Sequence, residues 1–131
     1  MISTSDAYTA LDERREAGQQ AVTAAAIDAF TSIAIGMDAG ELNGPPERYP
    51  TFALLRQEAL EGMAELGAQV GPEFRDASAL AEVPDLDEVS RLGGLLCEVL
   101  VASAENCSDP RQVLGLINAA AHAGRIRDLL A

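Results

Sequence analysis

Apolar residues recur every three or four positions along most of the chain, which is the spacing of one face of an α-helix. Ser3 is a suitable N-cap for the first helix, with Ser5 as an alternative, and Asp6 stands at a capping-box position. The pattern predicts one helix of about thirty residues, some 45 Å long, ending at Gly36 unless Gly18 interrupts it. Its stripe contains Tyr8, Leu11, Arg15, Gly18, Val22, Ala25, Ala29 and Ile33.

A second helix is predicted after a segment rich in proline and glycine, residues 38–50, which is interpreted as a connector. Pro50 suits the first turn of that helix. A short extra helix is predicted near residues 72–82, between two prolines. The apolar stripe of the second helix contains Phe52, Leu55, Ala59, Met63, Leu66 and Val70.

Two capping signatures mark the last two main helices. Asp85 and Glu88 have capping-box spacing, and Asp109, Pro110 and Gln112 form an N-cap, a first-turn proline and a capping-box partner. No alternating strand pattern competes with these helices. The sequence therefore predicts an all-α fold: a single helical domain over residues 1–131, built as a bundle of four main helices.

Composition narrows the range of partners. The 131 residues can bury one core, and 21 acidic residues against nine basic ones give a net charge of −12. This charge opposes attraction to phosphate backbones and anionic lipids, so nucleic-acid binding is not expected and a basic protein partner is favoured. A weaker hypothesis is nucleic-acid mimicry by an acidic helix face that contains Glu58, Glu61 and Glu65; otherwise these residues form a solvated face.

The stretch AVTAAAIDAFTSIAIGM, residues 21–37, resembles a membrane span in composition. It is shorter than the roughly 20 apolar residues that a span needs, and Asp28 lies near its middle, so we predict a core helix and no membrane. Asp28 itself is predicted to be solvated or bonded to a hydroxyl group. The alternative is a carboxylate buried against an arginine.

Small residues on two of the predicted helices suggest a contact surface. Gly93 and Gly94 lie inside the predicted third helix, where each lowers helix stability by about 1 kcal/mol relative to alanine, so we expect close packing at these positions. We expect the alanine-rich face to be their partner, within the chain or in a second copy. The predicted interface residues are Val22, Ala25, Ala26, Ala29, Phe30, Ile33, Gly93 and Gly94.

Candidates for chemistry are few. His122, the single histidine, lies one helical turn from Arg125 and from Asn118, which together could form a polar strip for an anion or a carboxylate. The weak catalytic candidates are His122, Arg125 and Asp28, with Glu98 as a further carboxylate. The spacing of histidines, cysteines and acidic residues predicts no metal site and no cofactor.

Two features of the sequence bear on cellular location. Cys97 and Cys107 lack CxxC spacing, which favours reduced thiols in a cytoplasm, and the N-terminal residues lack the pattern of a secretory signal.

The leading hypothesis is a small acidic protein that acts by protein–protein contact, such as an adaptor, an immunity protein or anti-regulator, or a chaperone, and that self-associates. The alternative is a small enzyme or ligand-binding bundle with a pocket between helices near His122 and Arg125.

Overall fold

A computed structural model describes residues 2–131, which form six α-helices, one short 3-10 turn and no β-strand. The all-α prediction is confirmed. The helices are α1 (Thr4–Arg14), α2 (Gln19–Asn43), α3 (Tyr49–Glu65), α4 (Phe74–Leu80), α5 (Leu86–Glu105) and α6 (Pro110–Leu129), and the 3-10 turn spans Pro46–Arg48.

The first predicted helix is two helices, and Gly18 is the interruption. The Ser3 side chain caps α1 by accepting a hydrogen bond from the backbone N–H of Asp6, whereas Gly18 is the extended N-cap residue of α2. The break allows α1 to pack against α2 and α5. Ala7 and Leu11 are buried there, which a straight continuation of α2 would prevent.

Helix α2 continues to Asn43 and α3 begins at Tyr49, so the predicted connector over residues 38–50 is too long at both ends. Gly36 and Gly40, which suggest a helix end in the sequence, lie inside the helix at points of close contact with other segments. A Cβ atom at Gly36 would come within 2.7 Å of Pro84, and one at Gly40 within 2.8 Å of the Phe52 ring. Both glycines are inside the fold because neighbouring elements lie against the helix backbone.

The short helix near residues 72–82 is confirmed as α4, and Pro50 lies in the first turn of α3 as predicted. Asp85 and Asp109 are the N-caps of α5 and α6. Their predicted capping-box partners bind elsewhere: Glu88 accepts a hydrogen bond from Thr4 of α1, and Gln112 accepts one from Gln19 of α2. These side chains join helices instead of closing the caps.

Helix α2 is the centre of the core and packs against α1, α3, α4 and α5, whereas α6 packs against α3 and α5. This arrangement corrects the predicted interface. Its residues on α2 lie in the core of the single chain, because α1, α3, α4 and α5 pack around them. The buried residues are Val22, Ala25, Ala26, Ala29, Phe30 and Ile33.

The helix that packs against the two glycines of α5 also differs from the prediction. A Cβ atom at Gly93 would come within 3.1 Å of the Ala123 carbonyl oxygen on α6, and the nearest neighbour at Gly94 is Arg127 of α6, at 3.6 Å. The close approach therefore joins α5 to α6. It does not join α5 to the alanine-rich face of α2.

By length and composition alone, α2 is apolar enough to cross a membrane, and it is the one described helix that meets this criterion. In the fold, 61% of its most apolar window is buried against other helices. This burial agrees with the prediction of a core helix.

Candidate functional site

The chain brings polar side chains together where α3 and α6 pack side by side. The two helices are antiparallel: Glu58 of α3 lies beside His122 and Arg125, and Glu65, two turns later, lies beside Asn118. At Gly115 a Cβ atom would come within 2.7 Å of the Glu65 carbonyl oxygen. The missing side chain allows α6 to lie close to α3, which brings the polar residues within reach of one another.

Glu58 is the centre of the cluster. Its Oε2 atom lies 2.8 Å from Nδ1 of His122 and accepts a hydrogen bond from Nε of Arg125 at 2.9 Å. A second guanidinium nitrogen of Arg125 lies 2.8 Å from the same Nδ1 atom. The three side chains therefore form a closed triangle of polar contacts between two helices.

The cluster is shielded from water to different degrees. The side chains of His122 and Glu58 are 12% and 20% exposed, whereas that of Arg125 is 51% exposed. Partial burial raises the pKa of Glu58, but hydrogen bonds from His122 and Arg125, together with the charge of Arg125, outweigh it and hold this pKa below its ordinary value. Glu58 is consequently a stable carboxylate at neutral pH.

Glu61 and Glu65 extend the acidic row of α3 beside α6. The Oε2 atom of Glu61 lies 3.6 Å from Nδ1 of His122, and Glu65 accepts a hydrogen bond from Asn118 at 3.3 Å. Both residues are exposed, and the Glu61 side chain is 49% exposed, which agrees with the predicted solvated face. Glu58 is the exception, because its side chain is only 20% exposed beside His122 and Arg125 of α6.

A second polar cluster lies between α2 and α3. Asp38 is buried, with a side chain 3% exposed, and its Oδ1 atom lies 3.5 Å from Nη1 of Arg56, which also binds Glu41. The second oxygen, Oδ2, has no hydrogen-bond partner among the described residues, and Nε of Arg75 lies 3.9 Å from it. A buried carboxylate beside an arginine, the alternative for Asp28, therefore occurs at Asp38.

The structure separates the other predicted site residues from His122. Asp28 is exposed on α2, which agrees with the prediction of a solvated carboxylate. Glu98 is exposed on α5 and lies 3.5 Å from Arg15 of α1. Of the predicted set, only His122, Arg125 and Asn118 share one location.

Four surface concavities, with volumes of about 200 to 480 Å³, are lined by residues other than His122 and Arg125. The largest lies between the N-terminus of α1, the middle of α2 and the start of α5. Its lining includes Ile2, Thr4, Ser32, Gly36, Pro84 and Glu88. Around His122, the side chains of Glu58 and Arg125 contact the imidazole ring directly.

Sequence reasoning identified the polar strip on α6 but missed its carboxylate partners. Glu58 and His122 are 64 positions apart, and local periodicity gives no information about which helices pack together. The useful signal was the spacing of Glu58, Glu61 and Glu65, which places three carboxylates on one side of α3. Comparison of the chain with protein-family models, with curated proteins and with solved structures finds no match.

Proposed function

We propose that this protein acts by protein–protein contact and that it self-associates through the outer face of α6. The supporting observation is an uncovered apolar stripe. Leu114 and Ile117 are 62% and 44% exposed, and Ala121 is exposed one turn further along the same side of the helix. Among the described residues, α6 packs against α3 and α5, and its first turn also bonds α2 through Gln112, so the opposite side is available to a partner.

Charge favours a second copy of the chain as that partner. Helix α6 contains three arginines and one aspartate, whereas acidic residues outnumber arginines in α1, α2, α3 and α5. Two molecules with a net charge of −12 repel each other at long range, and α6 adds little to this repulsion because its Arg125 and Arg127 are paired with Glu58 and Asp128. A strongly basic partner would instead be drawn to the acidic helices.

The size of the stripe indicates a weak contact. A stable dimer buries about 800 Å² on each partner, and a single helix face about 30 Å long provides less. Leu54 of α3 and Leu129 of α6 are also exposed and, because α3 and α6 are antiparallel, they lie at the same end of the pair. They could add apolar area at one edge of the interface, so we expect a reversible dimer that depends on concentration.

The sequence-based alternative, an enzyme or ligand-binding bundle with a pocket near His122 and Arg125, has less support. The charged side chains there contact one another, and the largest concavity described above is lined by other residues. A cytoplasmic setting is part of the proposal and is supported by two free cysteines, Cys97 and Cys107. Adaptor, immunity or anti-regulator, and chaperone roles all share this mechanism of contact.

Light scattering coupled to gel filtration, over a wide range of protein concentration, tests the proposal. We expect the average mass to rise with concentration for the natural chain and to stay at 13.7 kDa for Leu114→Asp. Leu80→Asp is the matched control, because Leu80 is 85% exposed but lies on α4. A monomer at every concentration, or equal association by the Leu114→Asp variant, would contradict the proposal.

A further inference from the structure

We infer that Glu58, Glu61 and His122 form a binding site for one first-row divalent metal cation, with Zn²⁺ as the best fit. The site is distinct from the apolar stripe of α6 and does not depend on self-association. It would hold the cation between α3 and α6 of a single chain.

The donor atoms lie at suitable distances. Nδ1 of His122 lies 2.8 Å from Oε2 of Glu58 and 3.6 Å from Oε2 of Glu61, and one ligand atom from each residue lies within 4.8 Å of the other two. Ligands bound to Zn²⁺ at about 2.0 Å in a tetrahedron are separated from each other by about 3.3 Å. The two separations that involve His122 therefore lie within about 0.5 Å of the tetrahedral value, and a rotation of the Glu61 side chain, which is 49% exposed, would adjust the third.

The type of donors selects the class of metal. One imidazole nitrogen and two carboxylate oxygens suit zinc and related transition metals, whereas Mg²⁺ and Ca²⁺ prefer oxygen donors alone. Three protein ligands leave at least one coordination position open to water or to a ligand. Two negative charges from the glutamates would balance the charge of the cation.

The contacts at Nδ1 of His122 provide an independent argument for a cation. This nitrogen lies 2.8 Å both from a carboxylate oxygen of Glu58 and from a guanidinium nitrogen of Arg125. If Nδ1 carries a proton, it can donate to Glu58 but faces an N–H group of Arg125. If it carries none, it can accept from Arg125 but faces a lone pair of the carboxylate. A cation bound to Nδ1 and Oε2 would satisfy both lone pairs.

Arg125 acts as a competitor of the cation in this arrangement. Its guanidinium group neutralises Glu58 in the metal-free protein, and its 51% exposed side chain is able to move into solvent. Loss of this positive charge near the site should strengthen metal binding, since like charges a few ångströms apart repel each other. A purely structural network of ion pairs predicts no such gain.

The two helices hold the ligands in position before binding. Glu58 and Glu61 are one turn apart on α3, and the close contact of Gly115 with α3 sets the distance to α6. The neighbours of His122 on the inner side of α6, Ala119 and Ala123, are fully buried. A site on two packed helices needs little rearrangement when the metal binds.

Titration of EDTA-treated, dialysed protein with Zn²⁺ by calorimetry, and with Co²⁺ by visible absorption, tests the inference. We expect one cation per chain, unaffected by millimolar Mg²⁺, and a Co²⁺ absorption band typical of low coordination number. His122→Gln and Glu61→Gln should each weaken binding by at least about tenfold, and Arg125→Gln should strengthen it by about tenfold. Circular dichroism checks that each variant remains folded.

Glu65→Gln is the matched control, because Glu65 lies one turn beyond Glu61 and binds Asn118. The affinity of this variant protein for Zn²⁺ should equal that of the natural chain. The same titration on Leu114→Asp separates this inference from the proposed self-association, since a site within one chain persists in a monomer. Absence of saturable binding, equal affinity in His122→Gln, weaker binding in Arg125→Gln, or one cation per two chains would overturn the inference.

Discussion

The Phe30 ring of α2 lies directly on the backbone of α3 at Gly62. A Cβ atom at position 62 would come within 2.6 Å of two ring carbons, and Phe30 is fully buried. The contact explains a glycine in the middle of a helix, where alanine is favoured by about 1 kcal/mol. The absent side chain allows the largest buried ring of α2 to reach α3.

Gly62→Ala should therefore destabilise the protein by about 1–3 kcal/mol, because the added Cβ would overlap a fully buried ring. Gly94→Ala in α5 is the matched control, since its added Cβ would meet its nearest neighbour at 3.6 Å, an ordinary contact. That variant should be stabilised by up to about 1 kcal/mol. Urea unfolding of both variants measures the difference, and equal stabilities would contradict the packing argument.

Arg56 is the nearer of the two arginines beside buried Asp38, so Arg56→Met should lower the free energy of unfolding by about 1–3 kcal/mol, with Arg75 left as the remaining cation. The double variant with Asp38→Asn should recover part of this loss, because no buried charge then remains. Arg48→Met changes an exposed arginine of the 3-10 turn and should have little effect. Thermal and urea unfolding check the series, and independent, additive losses would argue against a coupled pair.

The lowered pKa of Glu58 predicts a loss of stability in acid. Because the folded-state pKa lies below the ordinary value of 4.5, this carboxylate stabilises the fold above that value, and the contribution is lost as the pH falls through the folded-state pKa. In metal-free protein, Glu58→Gln should reduce the dependence of unfolding free energy on pH between about pH 6 and pH 3. Glu47→Gln, on the exposed 3-10 turn, is the control and should retain the dependence of the natural chain.

The N-cap of α6 predicts how one side chain contributes to the free energy of unfolding. Oδ1 of Asp109 accepts a hydrogen bond from the backbone N–H of Arg111 at 3.0 Å. Asp109→Ala should lower the free energy of unfolding by about 1 kcal/mol, whereas Asp109→Ser should retain most of the stabilisation by the cap. Ser108→Ala, at the exposed preceding residue, should change the unfolding free energy by less than about 0.5 kcal/mol. An equal loss in both alanine variants would show that the cap has no specific effect.

Helix type and most helix starts were predictable from local information. Apolar spacing, the caps at Ser3, Asp85 and Asp109, and Pro50 in a first turn all depend on residues within one or two turns. The end of α2 was not predictable in this way. Gly36 and Gly40 suggest a helix end in the sequence, yet they are helical because Pro84 and Phe52, distant in the chain, pack against them.

The candidate site was likewise predictable only in part from local sequence. The strip of Asn118, His122 and Arg125 followed from their spacing on one helix. The carboxylates that face it did not, because their position depends on which side of α3 packs against α6. The exposed stripe of Leu114 and Ile117 likewise became visible only when the other helices were in place.

Composition and local hydrogen bonds are enough to specify an acidic, all-helical chain and the residues at which most of its helices begin. Only the packing of the helices makes α2 a core helix within one chain, buries Asp38 while Asp28 is exposed, and places Glu58 and Glu61 beside His122. These outcomes depend on contacts between residues far apart in sequence, where the packing of whole helices outweighs any local preference.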